Sequence, residues 1–535
     1  MIMQKSRMKQ LIVIIMILLL QCSFIIYWGI KKEGLGCDEL YSYELANDTS
    51  GTPFLYERID YLNIWHDAAY FKENITVQPG NRFSFYHVVD NQIQDVHPPL
   101  YYLLLNSVCS IFPNSYSKWL GLGINIILLL ISQWILYRVA TMLMPDDKYM
   151  QVILLAFYGF SFGIVNLVMY IRMYMLVSVW VLVLYYFILK IMKMALDTGQ
   201  DSRKMEKIAW YHVGVFVTIT CGMLTHYYFV IAAFFLSGFY VLFLIYTKKW
   251  KLVGVYVVSA FGAMVNSVAI FPEMLMHIFG GYRGTENIDN LKNANLLQNV
   301  KVFLKILNEQ LFGKLLIPLL AVIVVCRVYI HVKRLALQES RKSLFFRVGL
   351  GIGVLSVICY FVLVSKISIM PQWRFFSPIY PILMIALIGG GEYLFGKVLS
   401  QKKTCIIMAI ICGCILGAGW YGNVAEGLWE GSAHAEEVIK SHSEAKTLYI
   451  SKNDFKVVDW DNLLAQMNAV YITDTDDIAY NAQIINEYGQ EDVMFVLVEY
   501  EYNDKEIIQN LLDNTEYDKA QMVYKRYATL YLLER

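Results

Sequence analysis

Runs of about 20 consecutive apolar residues recur along this chain, each long enough to cross the hydrocarbon core of a bilayer as a helix. Of its 535 residues 57% are hydrophobic and 17% charged, below the roughly 25% charged of ordinary soluble domains. Spans are predicted at 10–30, 118–142, 150–168, 172–193, 208–225, 227–247, 252–272, 315–331, 344–365, 375–396 and 404–421. The first run follows Lys5, Arg7 and Lys9. It exceeds a signal-peptide core and lacks a small-residue cleavage site, so it reads as a retained helix. The run 99–112 is too short to cross.

Lysine and arginine set the expected orientation. Lys190, Lys193, Arg203, Lys204 and Lys207 form one basic group, and Lys248, Lys249 and Lys251 a second. The stretch from Arg327 through Arg334 to Arg347 and the set Lys397, Lys402 and Lys403 complete the list. All four groups fall on one side, the cytoplasmic one, if the spans alternate. About eleven crossings result, with the N-terminus inside. The loop 31–117 and everything after 421 then lie outside, and 99–112 enters and leaves on that same face or lies in the interface. In the outer loop 273–314, Leu296, Val300, Phe303, Leu307 and Leu311 recur at helical spacing, which suits a helix lying on the bilayer or packed on the protein.

After 421 the long apolar runs stop and charge rises. Strands are predicted at Thr447–Ser451, Ala469–Thr473, Val493–Tyr500 and Tyr527–Leu533, separated by helix-competent stretches at Asp459–Met467 and Lys505–Leu512. The chain thus divides into a membrane domain, 1–421, and an extracytoplasmic α/β domain, 422–535. A net charge of +1 gives no ground for a nucleic-acid partner. The nine cysteines are scattered without zinc or disulfide spacing. No glycine-rich phosphate loop occurs, which disfavours an ATP-driven transporter.

Polar residues at the ends of spans carry the chemistry. Asp38 and Glu39 follow the first span; being adjacent they diverge in direction and divide labour, one as general base, the other holding the loop or a cation. The bland reading is an acidic loop start. Asp95-Val96-His97-Pro98-Pro99 makes a rigid entry into a helix at Leu100, placing His97 at headgroup depth with Asp95 near enough in sequence to orient it. A plain proline helix start is the alternative. Arg172, with Tyr174 beside it, and Arg374 sit at outer span ends, where snorkelling competes with a phosphate clamp. His226 lies at another outer turn, where an interfacial aromatic belt explains its tyrosine neighbours equally well.

Asp38-Glu39 after the first span, the Asp95–Leu100 element, Arg172 opening a span, and Trp373-Arg374-Phe375 leading to Tyr380-Pro381 together resemble the protein O-mannosyltransferase family. The likeness is closer to its bacterial relatives in the GT-C fold class and covers roughly residues 30–395. The resemblance implies an α-helical polytopic GT-C-like fold with juxtamembrane helices, 99–112 among them. It implies an inverting glycosyltransferase, hexosyl- or pentosyl-, that uses a polyprenyl-phosphate sugar donor on the outer face of the cell membrane. In that reading Asp38 accepts the acceptor's proton with Glu39 in support. His97, Arg172 and Arg374 neutralise the departing lipid phosphate, supported by Asp95, Tyr174 and His226. The acceptor, whether protein, lipid or cell-wall glycan, is not specified. No cofactor is certain, with a divalent cation left open. The tail does not resemble the carbohydrate-binding modules of eukaryotic members. A polymerase or ligase of lipid-linked glycans is an alternative, as is a non-enzymatic transporter or flippase, which would call for internal repeats and buried midplane charges that this sequence does not display.

Overall fold

The computed structural model describes residues 2–197, 202–332, 344–452, 455–489 and 491–535. Among the expected orienting charges, Arg334 lies outside the described residues, as do the side chains of Lys5, Arg7, Arg203 and Lys204. Among the described residues eight helices are long and apolar enough to cross a membrane alone, and ten spans result if each of two bent pairs counts as one. This is a multi-pass membrane protein.

The bent pairs depart from the sequence expectation. The stretch read as one span at 150–168 is two helices, Lys148–Phe160 and Phe162–Met169, meeting at 51°. The span 315–331 is the second arm of a pair, Leu296–Phe312 and Leu316–Val332, bent by 85°. Its joint is Gly313, at φ +56°, where a Cβ would sit 2.6 Å from the Ile415 carbonyl oxygen. Only glycine meets both the backbone angle and the close approach. The first arm buries Phe303, Leu307 and Leu311. Phe303 meets Phe376 at 4.6 Å between ring centres, so of the two expected settings this helix takes the one packed on protein. The expected span 208–225 lies in the helix Ser202–Met223, whose first half, with Glu206, Lys207 and His212, is too polar for it to be counted. The run 99–112 is the short helix Leu100–Ile111.

The chain forms two compact units. The first, residues 1–27, 96–100 and 123–426, is helical. The second gathers 28–95, 101–122 and 427–535 around one six-stranded sheet. Its strands are β1 (Trp65–Asp67), β2 (Lys446–Ile450), β3 (Ala469–Thr473), β4 (Val493–Glu499), β5 (Lys519–Lys525) and β6 (Ala528–Glu534), in the order β1-β3-β2-β4-β6-β5. The three central strands are parallel and the flanking ones antiparallel. Alternation along β2 sends Tyr449 to one core with Trp460, Leu464 and Leu530, and Leu448 and Ile450 to the other with Ile485, Ile508 and Leu511. Four strands fall where the sequence places them. β5 and β1 do not appear in that reading, and β1 comes from the loop 31–117, which the sequence division assigns to the membrane domain. It pairs with β3 through Trp65↔Tyr471, His66↔Val470 and Asp67↔Ala469. Loop and tail are therefore one folded body, necessarily on one side of the bilayer.

Candidate functional site

In the helical unit, five of the residues singled out by sequence converge. Three helices start at this place: Tyr174–Leu196 two residues after Arg172, Tyr228–Tyr246 two after His226, and Leu100–Ile111 three after His97. The Leu100 N–H donates to the Leu224 carbonyl at 2.9 Å, tying the proline turn to the His226 turn. The His97 and His226 rings lie 6.1 Å apart, and Tyr174 is 5.2 Å from His226. Arg374 opens the 3-10 helix Trp373–Ile379, which is held by Tyr360 donating to the Phe375 carbonyl at 2.7 Å. Its guanidinium donates to the Tyr170 hydroxyl and lies 5.5 and 5.7 Å from the Tyr170 and Tyr174 rings.

Burial, and after it the neighbouring His97, Arg172 and Arg374, hold the His226 ring well below the usual histidine range. Its Nδ1 accepts the Tyr228 N–H at 3.0 Å, so Nε2 carries the hydrogen of the neutral ring and can donate. Arg172 is only 5% exposed. Clustered cations beside three helix starts, whose dipoles add positive potential, make a place for an anion with several oxygens. Tyr170 carries part of this geometry and was not singled out by sequence; its place two residues before Arg172 was the available signal.

The carboxylates lie in the sheet-containing unit, on the helix Cys37–Asn47. The two divide as adjacency demands. Asp38 is half-buried in the first turn, whereas Glu39 is 1% exposed and its Oε2 is fully engaged. That oxygen accepts from the Gly36 N–H at 2.8 Å, Lys32 Nζ at 2.9 Å and Trp429 Nε1 at 3.4 Å. Glu39 thus fixes the helix start. Removing one member of a buried ion pair costs about 3–5 kcal/mol. Glu39→Ala should therefore lower the thermal midpoint strongly, and a midpoint equal to wild type would contradict this role.

Further along the helix, Asn74 donates to Glu44 at 2.8 Å and to Asp461 at 3.3 Å. Burial, with Asp461 alongside, pushes the Glu44 carboxyl well above the usual range, and Asn74 bridges the two carboxyls to tie the helix to the tail. Asp95 ends the helix Phe85–Gln94, its N–H donating to the Asn91 carbonyl at 3.1 Å. Among the described residues no group of three or more His, Cys, Asp or Glu is placed to hold a metal ion.

No family profile and no curated protein matches this sequence. Solved structures do match by fold. ArnT from Cupriavidus metallidurans in the apo state superimposes with a TM-score of 0.50 at 11% identity, covering 99% of this chain and 98% of that one. ArnT bound to undecaprenyl phosphate gives 0.49 at 12% identity, covering 96% and 97%. The oligosaccharyltransferase AglB from Archaeoglobus fulgidus, in complex with an inhibitory peptide and a dolichol-phosphate, gives 0.43 at 12%, covering 96% of this chain and 71% of its own. The fold is therefore GT-C-like: a polytopic helical unit with a small α/β sheet toward the C-terminus.

Proposed function

We propose that this protein is a membrane glycosyltransferase that moves a sugar from a polyprenyl-phosphate donor to an acceptor nucleophile on the outer face, with inversion at the anomeric carbon. The observation that carries the reading is the meeting of His97, Arg172, Arg374 and His226 at three helix starts, in a GT-C-like frame. Such a cluster suits a phosphodiester whose phosphate gains negative charge as the bond between the anomeric carbon and the phosphate oxygen breaks and polyprenyl phosphate, the monoester, departs. Asp38, the accessible member of the carboxylate pair, takes the acceptor's proton while Glu39 holds the turn. Undecaprenyl phosphate, the ligand carried by ArnT, is the natural probe for the cationic cluster. The finer likeness to bacterial protein O-mannosyltransferases rests on the motif residues, and a hexose or pentose would be transferred.

Cells lacking the protein should accumulate a polyprenyl-phosphate-linked sugar that membranes containing it clear. An unchanged lipid-linked sugar pool would overturn the reading. Orientation has its own test. Glu73 and Glu444 are exposed and belong to the same folded unit. Cysteines placed at both, in a background freed of the native cysteines, should react with an impermeant thiol reagent added outside intact cells. Protection of both until the cells are opened would put the sheet, and with it Asp38, on the cytoplasmic side.

A further inference from the structure

The helix bearing Asp38 is not held at its start by the loop alone. The hairpin β5–β6 turns through Arg526 and Tyr527, with the Arg526 N–H donating to the Ala528 carbonyl at 2.8 Å. From this turn the Arg526 side chain reaches three places around the start of the helix Cys37–Asn47. Its Nη1 donates to the Leu35 carbonyl at 2.8 Å. Its Nη2 pairs with Asp459 Oδ1 at 2.7 Å, the two side chains being 9% and 2% exposed. Its guanidinium stacks on Trp429, 3.6 Å from the ring centre, and Trp429 in turn donates to Glu39. Asp459 accepts the backbone N–H of Cys37, the residue next to Asp38. These contacts gather at Leu35, Cys37 and Glu39, around the first turn that presents Asp38.

We propose that Arg526 is a positioning residue for Asp38. Its planar fork joins the Leu35 carbonyl to Asp459 and so fixes the direction in which the Asp38 carboxylate leaves the helix. A lysine, with one compact charge, cannot hold both acceptors and stack on Trp429 together. The tail thereby takes part in the reaction at a distance from the reacting atoms, through a residue some 490 positions away in sequence. The inference rests on the assignment of Asp38 as the base.

The test uses full-length protein and, as substrate, the lipid-linked sugar that accumulates in cells lacking it. Arg526→Ala should cut clearance by about 10²-fold, the loss typical of a displaced catalytic group, and Arg526→Lys by a smaller factor. Undecaprenyl phosphate binding should stay as in wild type. Hydrogen exchange should quicken at the amides of Cys37–Tyr41 while β2–β4 remain protected. In an Asp38→Asn background, Arg526→Ala should add no further loss, because a positioning residue has nothing left to position. Multiplied losses in the double variant, or wild-type clearance by Arg526→Ala, would overturn the proposal. If Arg526→Ala does not accumulate as folded protein, Arg526→Lys gives the same reading, and full clearance by it would overturn the role of the fork. Asp38→Asn at full rate would instead sink the base assignment, and would be told apart because the exchange result is measured without substrate.

Discussion

Asp38→Asn is expected to reduce transfer by about 10²–10⁴-fold, the range that a positioned general base contributes, while the protein inserts and binds undecaprenyl phosphate as before. The amide keeps the shape of the carboxylate but cannot take the proton that the acceptor must lose as it attacks. The contrast with Glu39 sharpens the expectation. Asp38 is half-buried on a first turn, whereas Glu39 is buried and its Oε2 receives three donors. Loss at Glu39 should therefore appear as instability and loss at Asp38 as a slow rate in a stable protein. Purified variants compared for clearance of the lipid-linked sugar and for thermal midpoint separate the two. Activity within a few-fold of wild type in Asp38→Asn would remove that residue from the base role. A stable, slow Glu39→Gln beside a fast Asp38→Asn would exchange the assignments.

The second large effect is expected at Arg172 and Arg374. Each alanine substitution should cost about 10²–10³-fold in rate, as for loss of one donor to a developing oxyanion. Lysine should restore only part of it, because Arg374 uses its planar group against the Tyr170 and Tyr174 rings as well as to donate to Tyr170. Snorkelling gives the opposite forecast, since lysine snorkels as well as arginine and would be silent. The double alanine variant should lose less than the product of the single losses, because in the proposed clamp both arginines would serve one leaving group. Transfer rate and undecaprenyl phosphate affinity across the two lysine, two alanine and double variants decide it. Wild-type rates in both lysine variants would refute the clamp.

The membrane part of this architecture was legible because the bilayer imposes a length and an apolarity that survive in any 20-residue window. The cationic cluster was legible for a related reason. A charge at the end of a span is costly unless it has a task, so Arg172 and Arg374 stand out one by one, and the fold brings them together beside His226. What the sequence hid is long-range. Lys32 is not singled out by sequence, yet it is buried against Glu39. Arg526 and Asp459 carry no local pattern at all, and their meaning exists only once β5 and β6 bring the hairpin turn to Leu35. β1 is three residues long with His66 and Asp67 in it, too short and too polar for an alternation signal. The break at Ser161 likewise escapes notice, since apolar residues continue through it and hydropathy does not register a bend.

The pairing of Trp65–Asp67 with Ala469–Thr473 fixes the parity of the membrane crossings. A hydrogen-bonded sheet cannot straddle a bilayer, so the chain that leaves this unit after residue 122 must return to the same side by 427, and only an even number of passages allows that. Among the described residues seven of the eight self-sufficient apolar helices lie in that interval, and the two bent pairs bring the number to nine if each spans once. Nine is odd. Either the helix Ser202–Met223 crosses despite its polar first half, carried by its neighbours instead of by its own hydropathy, or one bent pair turns back and leaves by the face it entered. One short antiparallel ladder thus constrains the route of a polypeptide stretch that it never touches.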